Sequence, residues 1–167
     1  TRLWDQGVLA STVMKDKETA EEEKFRDYYA YAESIKTIPS HRALALFRGR
    51  TLGVLKLELG LGEALDKVVP HPCVSTIAAH AGIEDRGRPS DKWLASVCEW
   101  TWRVKMHLQI STELLVQLRE TAEAEAIKIF ARNLHELLLA SPAGPKVILG
   151  LDPGIRTGCK VAVVDAT

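Results

Sequence analysis

Hydrophobic positions along this chain change their period near its end. Up to about residue 145 they recur mostly at helical spacing, every three or four residues; from Val147 onward they form two short β-rich runs. Glu18 to Ile35 carries strong helix formers, with Phe25, Tyr28, Tyr29, Ala32 and Ile35 on one stripe, acidic residues 21–23 in the first turns and Pro39 as the stop. Ser40 reads as the N-cap of a helix over His41–Arg48, with Leu44 and Phe47 inward and Gly49 closing it. Val8 to Met14 reads as loop or weak helix. Val54 to Leu59 alternates apolar and polar, the signature of a half-buried strand.

Further along, residues 60–72 read as an irregular connection and Cys73 to Ala81 as a short helix stopped by Gly82. Ser90 reads as the cap of a longer helix whose stripe Trp93, Val97, Trp100, Val104 and Leu108 is expected to be buried. A break is expected near Ser111. The helical pattern then runs to Ala140 with two apolar stripes, one through Leu115, Leu118, Ala122, Ala126, Ile129 and Leu137, the other through Ile127, Phe130, Leu134 and Leu138. Pro142 and Gly144-Pro145 end it. The lone strand 54–59 needs a partner to satisfy its main chain.

The last stretch, VILGLDPGIRTGCKVAVVD, reads as a β-hairpin with Asp152 at the end of its first strand. In an RNase H-like (RuvC-type) nuclease fold a carboxylate there holds a divalent metal. Phosphodiester cleavage of that kind needs carboxylates from several elements converging on two ions. Asp165 cannot be the second ligand, because it lies about 20 Å away along the returning strand. No other carboxylate has a spacing that brings it to Asp152. The chain by itself is therefore expected to be catalytically inert, with no catalytic residue, no metal and no cofactor. The ordinary reading of Asp152-Pro153-Gly154 is a plain turn.

Composition narrows these readings. The 167 residues are 46% hydrophobic and 26% charged, with 22 basic and 22 acidic side chains. A compact nucleic-acid module usually carries a basic excess, so contacts to nucleic acid must come from a local patch or from other parts. Cys73, Cys98 and Cys159 are too scattered for a disulfide framework and point to a reducing, cytoplasmic setting. No apolar run reaches the roughly 18–20 residues of a membrane span. Both ends read as cuts: the chain opens in a helix-like segment without Met, and stops before an RNase H-like domain is complete.

Four motifs in order carry a family resemblance. LGLDPGIRTGCKVAVVDAT resembles the start of the YqgF (RuvC-like) domain of the bacterial Tex family of transcription accessory proteins. KFRDYYAYAESIKTIPSHRALALFRGRTLGVLKLEL resembles the Tex segment before it, above all Pro39-Ser40-His41-Arg42 and Arg48-Gly49. GRPSDKWL and EAEAIKIFARNLHELLLASPAG resemble later Tex helices. The resemblance implies a protein several-fold longer, with helix-hairpin-helix elements and a C-terminal OB-fold RNA-binding domain. It also implies a non-enzymatic role in transcription through nucleic acid, RNA or DNA. Tex members are not generally active nucleases, so Asp152 becomes a vestigial metal position.

The remaining candidates have ordinary counterparts. Arg42, Arg48, Arg50 and Lys56, with His41, form a basic cluster that reads either as phosphate contacts or, the favoured reading, as dipole-stabilising and ion-pairing surface charge. Arg86, Arg88 and Lys92 form a weaker basic loop with the same two readings. His71, Cys73 and His80 fit no zinc spacing. Trp93 and Trp100 could stack bases, but the core reading is favoured; Trp102 points away from them. Ser40 and His41 point apart and make no Ser–His nucleophile pair.

The expected fold is mainly α: a multi-helical scaffold over 1–145 with a few short strands. It ends, over 146–167, in the first β-hairpin of a truncated RNase H-like domain. The expected function is that of a helical scaffold within a nucleic-acid-binding transcription accessory protein. The alternatives are part of a metal-dependent RuvC-like nuclease or resolvase, and a docking platform for RNA polymerase or other transcription proteins.

Overall fold

The computed structural model describes residues 2–14, 22–155 and 158–165. It resolves into two units, Thr1–Ile129 and Phe130–Thr167.

The first unit is built on a small antiparallel sheet. Helix α1 (Arg2–Gln6) leads into β1 (Val8–Val13), a 3₁₀ helix (Glu22–Tyr28) and β2 (Ala30–Ser34). Helix α2 (Ser40–Thr51) then turns into β3 (Leu55–Gly60). The strand order is β2-β1-β3, both pairs antiparallel, so the strand read at 54–59 finds its partner in β1.

Two sequence expectations fail here. The segment expected to be loop or weak helix, Val8 to Met14, is the central strand. Of the helix expected over Glu18 to Ile35, residues 18–21 lie outside the described residues, and the rest forms the 3₁₀ helix and β2. Aromatic Tyr28, Tyr29 and Tyr31 suit a pleated surface as well as a helix. Strand pairing with β1 wins because it satisfies main-chain groups on both strands. Ser11, buried in mid-strand, donates its hydroxyl to the Tyr28 carbonyl and ties the two segments together.

Directly opposed residues share a face, so Leu9, Ser11, Leu57 and Leu59 line one side of the sheet. Leu9, Leu46, Leu55 and Ile35 are fully buried core side chains. Helix α2 contributes Ala43, Leu46 and Phe47, with Leu44 only half-buried. Gly49 does not close α2 but packs inside it: a Cβ there would meet Leu55 Cδ1 at 2.6 Å and Phe25 Cδ1 at 3.1 Å. Ser40 is the first helical residue, not the cap. Pro39 occupies the cap position in extended conformation, with no side-chain cap bond.

After β3 come a short helix α3 (Glu63–Asp66), α4 (Pro72–His80) and a long helical rod. The rod comprises α5 (Pro89–Trp100), a π-helical stretch (Thr101–Met106) and α6 (His107–Leu138). The cap of α5 is the Arg88–Asp91 pair rather than Ser90. Asp91 accepts from the Arg86 and Arg88 amides, both at 2.9 Å, and binds the Arg88 guanidinium at 2.8 Å. The irregularity expected near Ser111 lies earlier, in the π-helical turns, and the helix passes through Ser111 intact.

The rod also buries the opposite face from the one expected. Trp93 and Trp100 are 66% and 53% exposed, and Val104 and Leu108 are exposed with them, whereas Trp102 is 8% exposed. Trp102 is turned about 200° from Trp100, and Asp91, Cys98 and Trp102 form the buried side. Beyond the π turns the buried positions are Ser111, Leu114, Leu118 and Ala122.

The second unit contains the end of α6, where Phe130, Leu134, Leu137 and Leu138 are exposed, and a hairpin of β4 (Ile148–Gly154) and β5 (Gly158–Val164). Asp152 lies inside β4, two residues before its end, with Lys160 as its register partner. The fold is thus largely helical with a few antiparallel strands and a terminal hairpin.

Candidate functional site

The residues of the first unit converge on a cleft of about 1230 Å³. Strand β3 supplies one wall through Leu57 and Glu58, and α6 supplies another through Leu108 and Thr112. Arg50, from the last turn of α2, reaches the same space.

A chain of ring and hydrogen-bond contacts fixes one end of this cleft. The Leu61 amide donates to Asp66 Oδ1 at 2.9 Å. His71 accepts the Cys73 amide on Nδ1 at 3.2 Å, which caps α4, so its Nε2 carries the proton given to Asp66 Oδ1 at 3.1 Å. The same imidazole stacks on the Trp102 indole with centroids 5.3 Å apart. Trp102 meets His107 edge-on at 5.1 Å, and His107 Nε2 donates to the Leu59 carbonyl at 3.0 Å. This chain locks the π-helical turns to the end of β3. Sequence reading missed it. The one available signal was His71 directly before Pro72, an N-cap position ahead of a helix-starting proline. His71, Cys73 and His80 do not form a ligand set: His71 is engaged as described, and burial pushes the Cys73 thiol up. Among the described residues no three His, Cys, Asp or Glu side chains gather in a way that could hold a metal ion.

Residues 1–130 match the family described as Tex central region-like. The chain belongs to the Tex family. It is 52% identical to protein tex of Bordetella pertussis and 44% identical to transcriptional accessory protein Tex of Neisseria gonorrhoeae, over 99% of its length in each case. It is 28% identical, over 97% of its length, to the human S1 RNA-binding domain-containing protein 1. The chain spans 21% of the length of the two bacterial relatives and 16% of the human one.

In this Tex segment the candidate cations do not form one patch. Arg42 pairs with Glu33 at 3.4 Å, beside Tyr31, whose phenol is pushed up by burial and by its hydrogen bond to Glu33. Lys56 pairs with Glu58 at 2.6 Å and Arg86 with Glu84 at 3.0 Å. Arg88 is held by Asp91, and that guanidinium keeps the Asp91 carboxyl at about 2. Arg48 and Arg50, both exposed in the last turn of α2, form no ion pair with a described residue. Glu33 and Glu58 are the acidic partners of Arg42 and Lys56.

Asp152 is exposed on the hairpin of the second unit, directly opposite Lys160, and no described carboxylate joins it in a metal-holding group. No helix of the described residues is long and apolar enough to cross a membrane.

Proposed function

We propose that residues 1–167 form a helical scaffold within a cytoplasmic, nucleic-acid-binding accessory protein of transcription. It acts without catalysis, and RNA or DNA is held mainly by other parts of a Tex protein of its relatives' length. The observation that carries this reading is the state of the candidate cations. Four of the six, Arg42, Lys56, Arg86 and Arg88, are already paired with carboxylates. A paired cation offers a phosphate little net charge, and phosphate neutralisation dominates nonspecific affinity.

Residues 146–167 are read as the first hairpin of a YqgF, RNase H-like domain, with Asp152 as its vestigial metal position. The cation of Lys160 opposite Asp152 disfavours a second positive charge there, which supports a non-catalytic role. Fluorescence anisotropy with labelled single- and double-stranded RNA and DNA tests the proposal. The full-length protein is expected to bind and this chain to bind far more weakly. Equal affinity of the two contradicts it. Cleavage by the full-length protein in Mg²⁺ or Mn²⁺, abolished by Asp152→Asn, would establish the nuclease alternative instead.

A second reading, docking of RNA polymerase, is favoured by the exposed side chains of Trp93 and Trp100. Capture of purified polymerase by this chain, lost on Trp93→Ser with Trp100→Ser, is the result that reading requires.

A further inference from the structure

Trp93 and Trp100 stand on one line of the helical rod, about two turns apart. They are 66% and 53% exposed, and Val104 and Leu108 continue the line at 53% and 72%. From Trp93 to Leu108 the line runs about 22 Å, at ~1.5 Å per residue. The rod turns its opposite side, through Cys98, Trp102, Ser111 and Leu114, into the core of the first unit. An apolar line on a convex rod is a ridge, and a ridge packs into the groove between the ridges of a second helix.

The charges beside the line choose the kind of helix. Successive helical residues are turned by about 100°, so Lys92 flanks Trp93, while Arg103 and Lys105 flank Val104 on its two sides. Lys105 follows Trp100 by one turn of the wider π-helix, and its Nζ lies 5.4 Å from the centre of the indole. Between Asp91 and Glu113 the rod carries Lys92, Arg103, Lys105 and a single carboxylate, Glu99. Glu99 is engaged by Arg103 at 3.8 Å. Lys92 and Lys105 form no ion pair with a described residue. His107 is turned into the first unit, where it meets the Leu59 carbonyl. In a chain whose charges balance overall, this face is left positive, and its complement is a helix with carboxylates flanking an apolar stripe.

The same charges argue against a second copy of this chain, because rod against rod would bring two sets of unmatched lysines together. Stacked bases fit less well, since Lys105 already covers one face of Trp100 and the line continues through the aliphatic Val104 and Leu108.

We propose that the face from Trp93 to Leu108 docks an acidic amphipathic helix of a partner protein. The helix lays its apolar stripe on Trp93, Trp100 and Val104 and sets its carboxylates against Lys92 and Lys105. The inference deepens the docking reading given above and rests on it, without requiring RNA polymerase as the partner.

The test titrates this chain into a fluorescein-labelled, helix-stapled peptide with a leucine stripe flanked by glutamates, read by anisotropy at two salt concentrations. A peptide with lysine for glutamate and a scrambled acidic peptide without the stripe serve as controls. The acidic helix is expected to bind, more weakly at high salt, and neither control to match it. Trp93→Ser with Trp100→Ser should weaken binding about thirtyfold, as truncation of anchoring tryptophans does. Lys92→Glu with Lys105→Glu should weaken it about tenfold and admit the lysine peptide. All four residues are exposed, so both variants keep the core intact, which circular dichroism checks. The proposal is overturned if the acidic helix does not bind, if the scrambled peptide binds as well, or if either variant has no effect. It is also overturned if the chain dimerises through these tryptophans, or if oligouridylate, and not the peptide, binds in a way that depends on them. Polymerase capture without peptide binding refutes the acidic helix alone; peptide binding without polymerase capture supports it and removes polymerase as the partner.

Discussion

The imidazole of His71 lies nearly parallel to the indole of Trp102, centroids 5.3 Å apart and planes inclined by 19°. The contact joins the start of α4 to the π-helical turns of the rod, and through His107 to the Leu59 carbonyl. Trp102→Ala would remove the shared member of both ring contacts and leave a void in the core. A loss of about 3 kcal/mol is expected from large-to-small truncation of a buried aromatic. Urea denaturation followed by circular dichroism checks it; a change within experimental error would mean that the stack carries no weight.

Asp91 couples this region to pH. Its carboxyl is held at about 2, first by the side-chain hydrogen bond from Arg88, then by the Arg88 amide; burial opposes them, and the Arg86 amide also lowers it. A depressed carboxyl contributes stability above its unfolded value, near 3.8, and that contribution is lost as pH falls toward about 2. Asp91→Asn should lower the thermal midpoint at neutral pH. It should also flatten the acid side of the stability curve between those two values. Thermal melts across that range decide it: parallel curves for both proteins would exclude the coupling.

Gly49→Ala should run against helix propensity. In an open helix the change stabilises by about 1 kcal/mol. Here the new Cβ falls 2.6 Å from Leu55 Cδ1, on a side chain only 1% exposed that cannot swing away. Net destabilisation of about 1–3 kcal/mol is expected from overpacking. A raised melting temperature would show that the core gives way freely.

The tryptophans can be separated by quenching. Trp93 and Trp100 stand in solvent and Trp102 does not. Acrylamide should quench most of the emission lost on Trp93→Ser with Trp100→Ser, and the variant should keep its stability within about 0.5 kcal/mol, as surface changes do. Loss of folding in this variant would restore the buried reading of the stripe.

Several of these features were legible in the sequence and several were not. Leu55, Leu57 and Leu59 alternate with Lys56 and Glu58, which gave β3 away, and VILGL with CKVAVV announced the hairpin. Strand β1 was hidden because its buried face includes Ser11, a polar residue whose hydrogen bond lies in another segment. The stripe from Phe25 to Ile35 fits a helix as well as a strand, and only the pairing with β1 chooses. Periodicity located the stripe of Trp93, Val97 and Trp100, but it records which residues share a face, not what covers that face. The cleft was illegible for a related reason. Its walls come from β3, α2 and α6, which only the folded chain brings together.

The central claim is that this Tex segment supports nucleic-acid binding without contacting phosphates itself. Its most direct test is the salt dependence of RNA affinity in the full-length protein, with and without charge reversal of Arg42, Arg48, Arg50, Lys56, Arg86 and Arg88. The slope of log K against log salt is expected to be unchanged. A slope reduced by about one for each reversed cation would place those residues on the phosphate backbone and contradict the account.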